Sequence, residues 1–452
     1  KRYGYFPSAS AGWVITQEDF MKDVAGLNFL KIRASWGQNG KEPADQFVYM
    51  ARVGSENRYY TFGGEREVGV SPIIFANPTL KWEASTQANI GFDSRFMEWF
   101  RFTFDIYKKE SKDWIMQTPV PGISGIDGIS SSNPYINGGN VVNSGIELEL
   151  GYQKSFGEFS IDMAANFAYN KNMVTEVPDS IIMGSASVLY NGSDEFYRVQ
   201  EGMPMGFFWG YVTDGIFQTQ EDIDNHVGPD GVKKLQATAK PGDVKRLDLN
   251  NDGLMNDKDK TMIGDPNPDY IYGFRLNMAY KGFDLSMNVQ GQGGNQIVQS
   301  YRSQERFFNN YTTEILDRWQ WTDANNNNVV DAGEGNGNRI PRVTLNDESN
   351  QNWRKFSDLY IHDGDFVKIK SVNLGYNFKT SVFKNTPIKQ FRVYVAASNL
   401  LTITKYNGLD PEIGYGSYYD SEGKLRDAYA SGIDVGFYPS PRTYLIGVNV
   451  KF

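Results

Sequence analysis

The sequence predicts an all-β protein, a transmembrane antiparallel β-barrel to which these 452 residues contribute about eleven strands. Three observations predict it. Apolar residues recur with a period of two, polar and charged residues fill the opposite face in mid-strand, and the connections alternate between very short and very long.

The strands fall near 3–13, 29–37, 86–96, 99–110, 143–153, 159–170, 270–280, 283–293, 366–378, 390–402 and 443–452. Each is about the length that a tilted strand needs to cross a bilayer. In the fourth, Phe100, Phe102, Phe104 and Ile106 alternate with Arg101, Thr103 and Asp105. Ile146, Leu148, Leu150 and Tyr152 alternate with Glu147, Glu149, Gly151 and Gln153 in the fifth. In the sixth, Phe159, Ile161, Met163, Ala165, Phe167 and Tyr169 share a face. The seventh and eighth carry Tyr272, Phe274, Leu276, Met278 and Tyr280, then Phe283, Leu285, Met287 and Val289, across a tight Lys281-Gly282 turn. In the ninth the parity slips between Ile369 and Val372, which predicts a bulge or a rim position. The last places Tyr444, Ile446, Val448, Val450 and Phe452 on one face.

A soluble sandwich also alternates, so the connections decide. Short links fall near 14–27, 94–99, 154–158, 281–282 and 379–390, and long polar links near 38–84, 110–142, 171–269, 294–364 and 404–442. Short periplasmic turns and long outer loops are the asymmetry of bacterial barrels, whereas loops of that length are uncommon in a compact soluble domain. The first strand then runs toward the periplasm and the last ends there. An open set of strands leaves two edges, and each bare backbone group in hydrocarbon costs several kcal/mol. The missing strands are expected from the rest of the polypeptide, and the Lys-Arg-Tyr start reads as a fragment or a processed product.

Composition closes other routes. Aromatic residues make up 14 %, Cys is absent, and the net charge is −9. A thiolate site is excluded, and an acidic chain lacks the basic face of a nucleic-acid binder. No segment approaches the roughly 18 to 20 apolar residues of a membrane-spanning helix, a test that barrel strands do not face. Catalytic patterns are missing: His226 and His362 stand far apart in polar links and read as solvated loop histidines, and Glu147 with Glu149 reads as a polar pore wall.

Two loops follow the spacing of calcium-binding loops. In Asp248–Asp259, oxygens fall at positions 1, 3 and 5 from Asp248, Asn250 and Asp252; Gly253 makes the turn at 6, Leu254 offers its carbonyl at 7, and Asp259 stands at 12. The shorter Asp in place of Glu reduces the reach of the last ligand. The second loop has Asp323, Asn325, Asn327, Val329 and Glu334 in those places, with Asn328 where Gly is expected. Asn tolerates the left-handed region better than most residues. An ordinary polar turn is the alternative for both. Structural Ca2+ would tie down long outer loops whose ordering costs entropy.

A further set of stretches carries a family likeness: Arg2–Trp13, Leu30–Asn39, Asn77–Glu83, Asn143–Leu148, Pro266–Phe274, Val372–Tyr376, Asn399–Thr402 and Tyr438–Tyr444. By these the chain, over nearly its whole length, resembles the C-terminal part of SusC/RagA-type TonB-dependent transporters of Bacteroidetes. The resemblance implies a roughly 22-stranded barrel in the outer membrane of a Gram-negative cell. It further implies an N-terminal half with a plug, a TonB-contacting segment outside this chain, and a SusD-like surface lipoprotein as a lid. Active import of an oligomeric nutrient, a glycan or a peptide, follows from it; a passive porin or adhesin barrel and a soluble glycan-binding or hydrolytic protein are the alternatives. Loop aromatics, among them Trp209, Tyr211, Trp319, Trp321, Tyr418 and Tyr419, are candidates for contact with substrate or lid, the alternative being girdle and loop-core packing. Tyr444 and Phe452 are the expected signal that barrel-assembly machinery reads.

Overall fold

The computed structural model describes residues 3–42, 47, 49–55, 59–117, 134–178, 196–301, 311–337, 339–344, 349–384, 386–413 and 431–452. Eleven long strands form one sheet: β1 Ser8–Val14, β2 Leu27–Lys41, β3 Glu83–Phe96, β4 Phe100–Lys112, β5 Asn140–Phe156, β6 Phe159–Glu176, β7 Tyr270–Tyr280, β8 Phe283–Gly293, β9 Phe366–Asn377, β10 Gln390–Thr404 and β11 Thr443–Lys451. Every strand pairs antiparallel with its sequence neighbours, in the order β1 to β11. This is an up-and-down meander. The expected strands are all present; β1 begins at Ser8 instead of residue 3, because Pro7 brings no N–H to the ladder and contributes only its carbonyl, which accepts from Gln38 N at 2.9 Å. Among the described residues no helix is long and apolar enough to cross a membrane.

Register puts like with like. Trp13, Ile32, Phe92, Phe104, Leu148, Phe167 and Tyr272 form one row across seven strands. Among the described residues nothing covers this face: Ile90 is 62 % and Ile446 80 % exposed. Burying such a surface in lipid is favourable, and only a membrane supplies that solvent over a whole sheet. At Lys370 the ladder slips on both sides of β9, since Asn288 faces Ser371 while Val289 faces Ile369. One extra residue returns both Ile369 and Val372 to the apolar face, which explains the parity slip in the sequence.

The short-turn end of the sheet wears an aromatic belt. Phe100 meets Tyr152 at 4.9 Å, Phe159 meets Tyr280 at 6.4 Å, Phe283 meets Tyr376 at 4.6 Å, and Phe378 meets Phe391 at 5.4 Å between ring centroids. The Lys154 ammonium sits 2.8 Å over the Trp99 ring. Amphipathic rings beside cations are the chemistry of a headgroup layer, so the belt marks one membrane boundary.

At the opposite end the long links are folded, not merely polar. Phe196, Tyr197, Phe208, Val298, Trp353, Phe356, Tyr360 and Ile433 form one buried core. They come from three separate links, and edge-to-face rings join them: Phe196 to Phe356 at 5.6 Å and Trp353 to Tyr360 at 5.3 Å. Two of these links also share a small sheet, in which Gln296–Gln299 pairs with Ile361–Asp363 of its own link and with Ile433–Asp434 of the last.

Candidate functional site: the polar wall and its roof

The polar face of the sheet is laced by fixed ion pairs. Arg33 on β2 is a fork: Nη1 and Nη2 each lie 2.6 Å from an Asp105 carboxylate oxygen, while Nε and Nη2 reach Asp93 at 3.0 and 3.1 Å. Arg33 and Asp105 are two strands apart, and Gly91 stands between them in register. A Cβ at Gly91 would lie 2.4 Å from Asp105 Oδ1 and 2.5 Å from the Phe104 carbonyl oxygen. The missing side chain is what lets the pair meet. The same device recurs on the far side, where Arg392 on β10 passes over Gly375 to bind Asp284 on β8 and Asn373. These bidentate pairs stiffen a water-facing wall and leave it little net charge at those rows.

Higher on the wall, Lys368 is 1 % exposed and reaches Asp410 at 3.1 and 3.2 Å and Glu412 at 2.7 Å. Lys370 and Gln290 also bind Glu412. The last long link is thereby latched onto β9 and β8. Burial would raise Asp410, but the Glu412 N–H and the Lys368 ammonium outweigh it and hold it below its ordinary range. Glu412 follows the same balance, with burial overcome by Lys368 and Lys370.

The roof is tied by a second, polar network. Arg246, 2 % exposed, donates to the Asn350 and Gln351 carbonyls at 2.9 and 2.8 Å. Arg342 Nε donates to the fully buried Asp243 at 2.7 Å, and Asn352 and Gln236 complete the set. His226 is not a solvated loop histidine: its Nε2 lies 3.0 Å from the Arg246 carbonyl and its ring packs edge-to-face on Phe217. Burial first, then the Lys245 ammonium, push its pKa down. His362 sits in the small shared sheet, 5.9 Å from the Tyr406 ring. Arg246 and Asn350, like Arg342 and Asp243, lie about a hundred residues apart in sequence, and no local signal announces them.

The expected contact aromatics separate in space. Tyr211 and Trp319 are 2 % and 5 % exposed and serve the roof's interior. Tyr211 donates to Asp257 at 3.1 Å, and burial with that neighbouring carboxylate drives its phenol pKa up; Trp319 Nε1 donates to Gln218 at 3.0 Å. For these two, loop-core packing is the role that their burial allows. Trp209 is half-buried under the Arg198 guanidinium at 3.9 Å, and Trp321 is the one with an open face at 36 % exposure. Tyr418 and Tyr419 lie outside the described residues. Tyr444 on the edge strand β11 and Phe452 just after it are both 70 % exposed. The two calcium-like loops share one turn geometry, with positive φ at Asn251 and Gly253 in the first and at Asn326 and Asn328 in the second.

Known proteins match this arrangement. The family described as "TonB dependent receptor-like, beta-barrel" matches residues 1–195. "TonB-dependent receptor P3" of Formosa agariphila is 30 % identical over 100 % of this chain and 42 % of its own length. "TonB-dependent receptor SusC" of Bacteroides thetaiotaomicron is 27 % identical, again over 100 % of this chain and 40 % of its own. Among solved structures, the RagAB peptide importer in its "open-open" state superposes with a TM-score of 0.74 at 21 % identity, over 100 % of this chain and 43 % of that one. The chain thus spans about two fifths of the length of the curated relatives it matches. Its eleven strands, their meander order and their unequal ends match the C-terminal part of the outer-membrane barrel of TonB-dependent receptors, and the likeness is to the SusC/RagA type of Gram-negative bacteria.

Proposed function

We propose that the chain is the C-terminal part of a TonB-dependent active importer of an oligomeric nutrient, a glycan or a peptide. A longer polypeptide completes the barrel: β1 and β11 are open edges, and relatives more than twice as long carry the matching segment. The observation that carries the reading is the pairing of an ion-laced inner wall with a roof built from three long links around one core. A bare diffusion pore needs the wall alone. A packed roof offers a firm platform for a SusD-like lipoprotein lid, and the solved RagAB relatives are named as peptide transporters and importers. Of Trp209, Tyr211, Trp319 and Trp321, Trp321 has the ring most open to touch lid or substrate. Tyr444 and Phe452, exposed on an edge strand, suit recognition by the assembly machinery.

Growth on candidate glycans and peptides as sole nutrient, with and without TonB, tests the reading. Uptake through an energised importer stops when TonB is deleted. Unchanged uptake would mean a passive pore, and a chain that stays monodisperse without detergent would not be a membrane barrel at all.

A further inference from the structure

The loop Asp248–Asp259 joins the short strand Val244–Arg246 to the strand Lys260–Gly264, which pairs with Phe207–Tyr211 inside the roof. Its first half is wound around carboxylates. The N–H of Gly253 donates to Asp248 Oδ2 at 2.9 Å, that of Asp252 to Asn250 Oδ1 at 2.9 Å, and that of Leu254 to Asp252 Oδ1 at 2.9 Å. The turn requires φ of +57° at Asn251 and +73° at Gly253, and the Pro229 ring lies 3.6 Å from where a Gly253 Cβ would stand.

Asp259 supplies the independent observation. It is fully buried; Oδ2 accepts from the Asn256 N–H at 2.8 Å, but Oδ1 is buried with no hydrogen-bond partner. A buried carboxylate oxygen without a donor is costly, and the nearby Lys260 ammonium is engaged by Asp257 at 3.0 Å. A carboxylate oxygen buried without a donor, in a loop that also carries Asp248 and Asp252, is an arrangement that a divalent cation stabilises.

We propose that this loop is a calcium site, with Asp248, Asn250, Asp252 and Asp259 contributing side-chain oxygens and Leu254 its carbonyl. An all-oxygen, mixed and flexible donor set favours Ca2+ over the smaller Mg2+. Among the described residues no three His, Cys, Asp or Glu side chains already converge at metal spacing, so ligation draws the carboxylates inward against their mutual repulsion. With Asp at the last position, affinity is of the order of 10⁻⁴ M, the range of extracellular modules. The site fixes the loop that presents Asp257 to the Tyr211 hydroxyl, so it braces the roof from within. The loop Asp323–Glu334 repeats the winding, but both Glu334 oxygens already accept N–H groups, from Ala324 and Asp331 at 3.0 Å each, and the proposal is confined to the first loop.

Hydrogen exchange on the intact barrel in detergent, with Ca2+ against EGTA, tests it, since peptides covering 248–263 report this site alone. Protection there rises on adding millimolar CaCl2, equal MgCl2 does not reproduce it, and Asp259→Asn abolishes the response at least tenfold in Ca2+ concentration. Asp248→Asn does the same, and heat-modifiable migration on gels verifies that both variants assemble. Calcium-independent protection in the parent, or a response that survives in both variants, would overturn the proposal.

Discussion

Gly91 and Gly375 each leave room for an arginine to reach the aspartate it binds, Gly91 in direct register with Arg33 and Asp105, Gly375 in register with Asp284 and two residues from the partner of Arg392. Their role is spatial, because a Cβ would meet Asp105 Oδ1 at 2.4 Å in the first row and Arg392 Nη2 at 2.4 Å in the second. Gly91→Val is expected to break the Arg33–Asp105 fork. Asp105 is 7 % exposed, and stranding a buried charge costs about 3 kcal/mol. Unfolding of the detergent-solubilised barrel in urea, followed by intrinsic fluorescence, should show that loss for Gly91→Val and a similar one for Arg33→Ala, with the double variant adding little beyond either. Full additivity would mean that Gly91 acts elsewhere. The calcium-like loop also belongs to this scale. It was legible in sequence because its oxygen-bearing residues lie within twelve consecutive positions, whereas the orphan oxygen of Asp259 came to light only when its burial was known.

Among the elements, the roof and its latch separate two kinds of stability. The roof core depends on packing: Phe356 is 2 % exposed and touches both Phe196 and Tyr360. Phe356→Ala removes an aromatic ring from the core that the three links share and should cost about 3–5 kcal/mol locally. The expected result is faster proteolysis of the links with an unchanged heat-modifiable barrel; loss of the barrel itself would show that roof and wall fold as one. The latch depends on charge. Asp410 and Glu412 are held below their ordinary values of 3.8 and 4.5, so their contribution is complete above about pH 4.5 and is lost as pH falls further, through the folded-state values. Hydrogen exchange over residues 405–413 should match at pH 7 and pH 5 and accelerate near pH 3 beyond the intrinsic change. Lys368→Met should release the segment at every pH. Neither element was readable from pattern, because their residues come in runs of two to five and find partners one or two links away.

For the molecule as a whole, the sheet was the most legible part, since each strand carries its own alternation and each connection its own length. Even the slip at Lys370 left a trace, as two apolar residues three positions apart where parity allows two. What the links do could not be read the same way. Tyr211 and Trp319 look in sequence like Trp321, and only tertiary packing separates interior rings from an offered one. The strictly sequential strand order has its own consequence. A wall laid down hairpin by hairpin asks each new strand only to find the one before it, however many residues intervene on the outside. Doubling the length of an outer excursion adds roughly 0.6 kcal/mol of closure entropy. Mutation can therefore redraw the exterior almost freely while the staves beneath keep their places, and a single barrel plan can carry many different crowns.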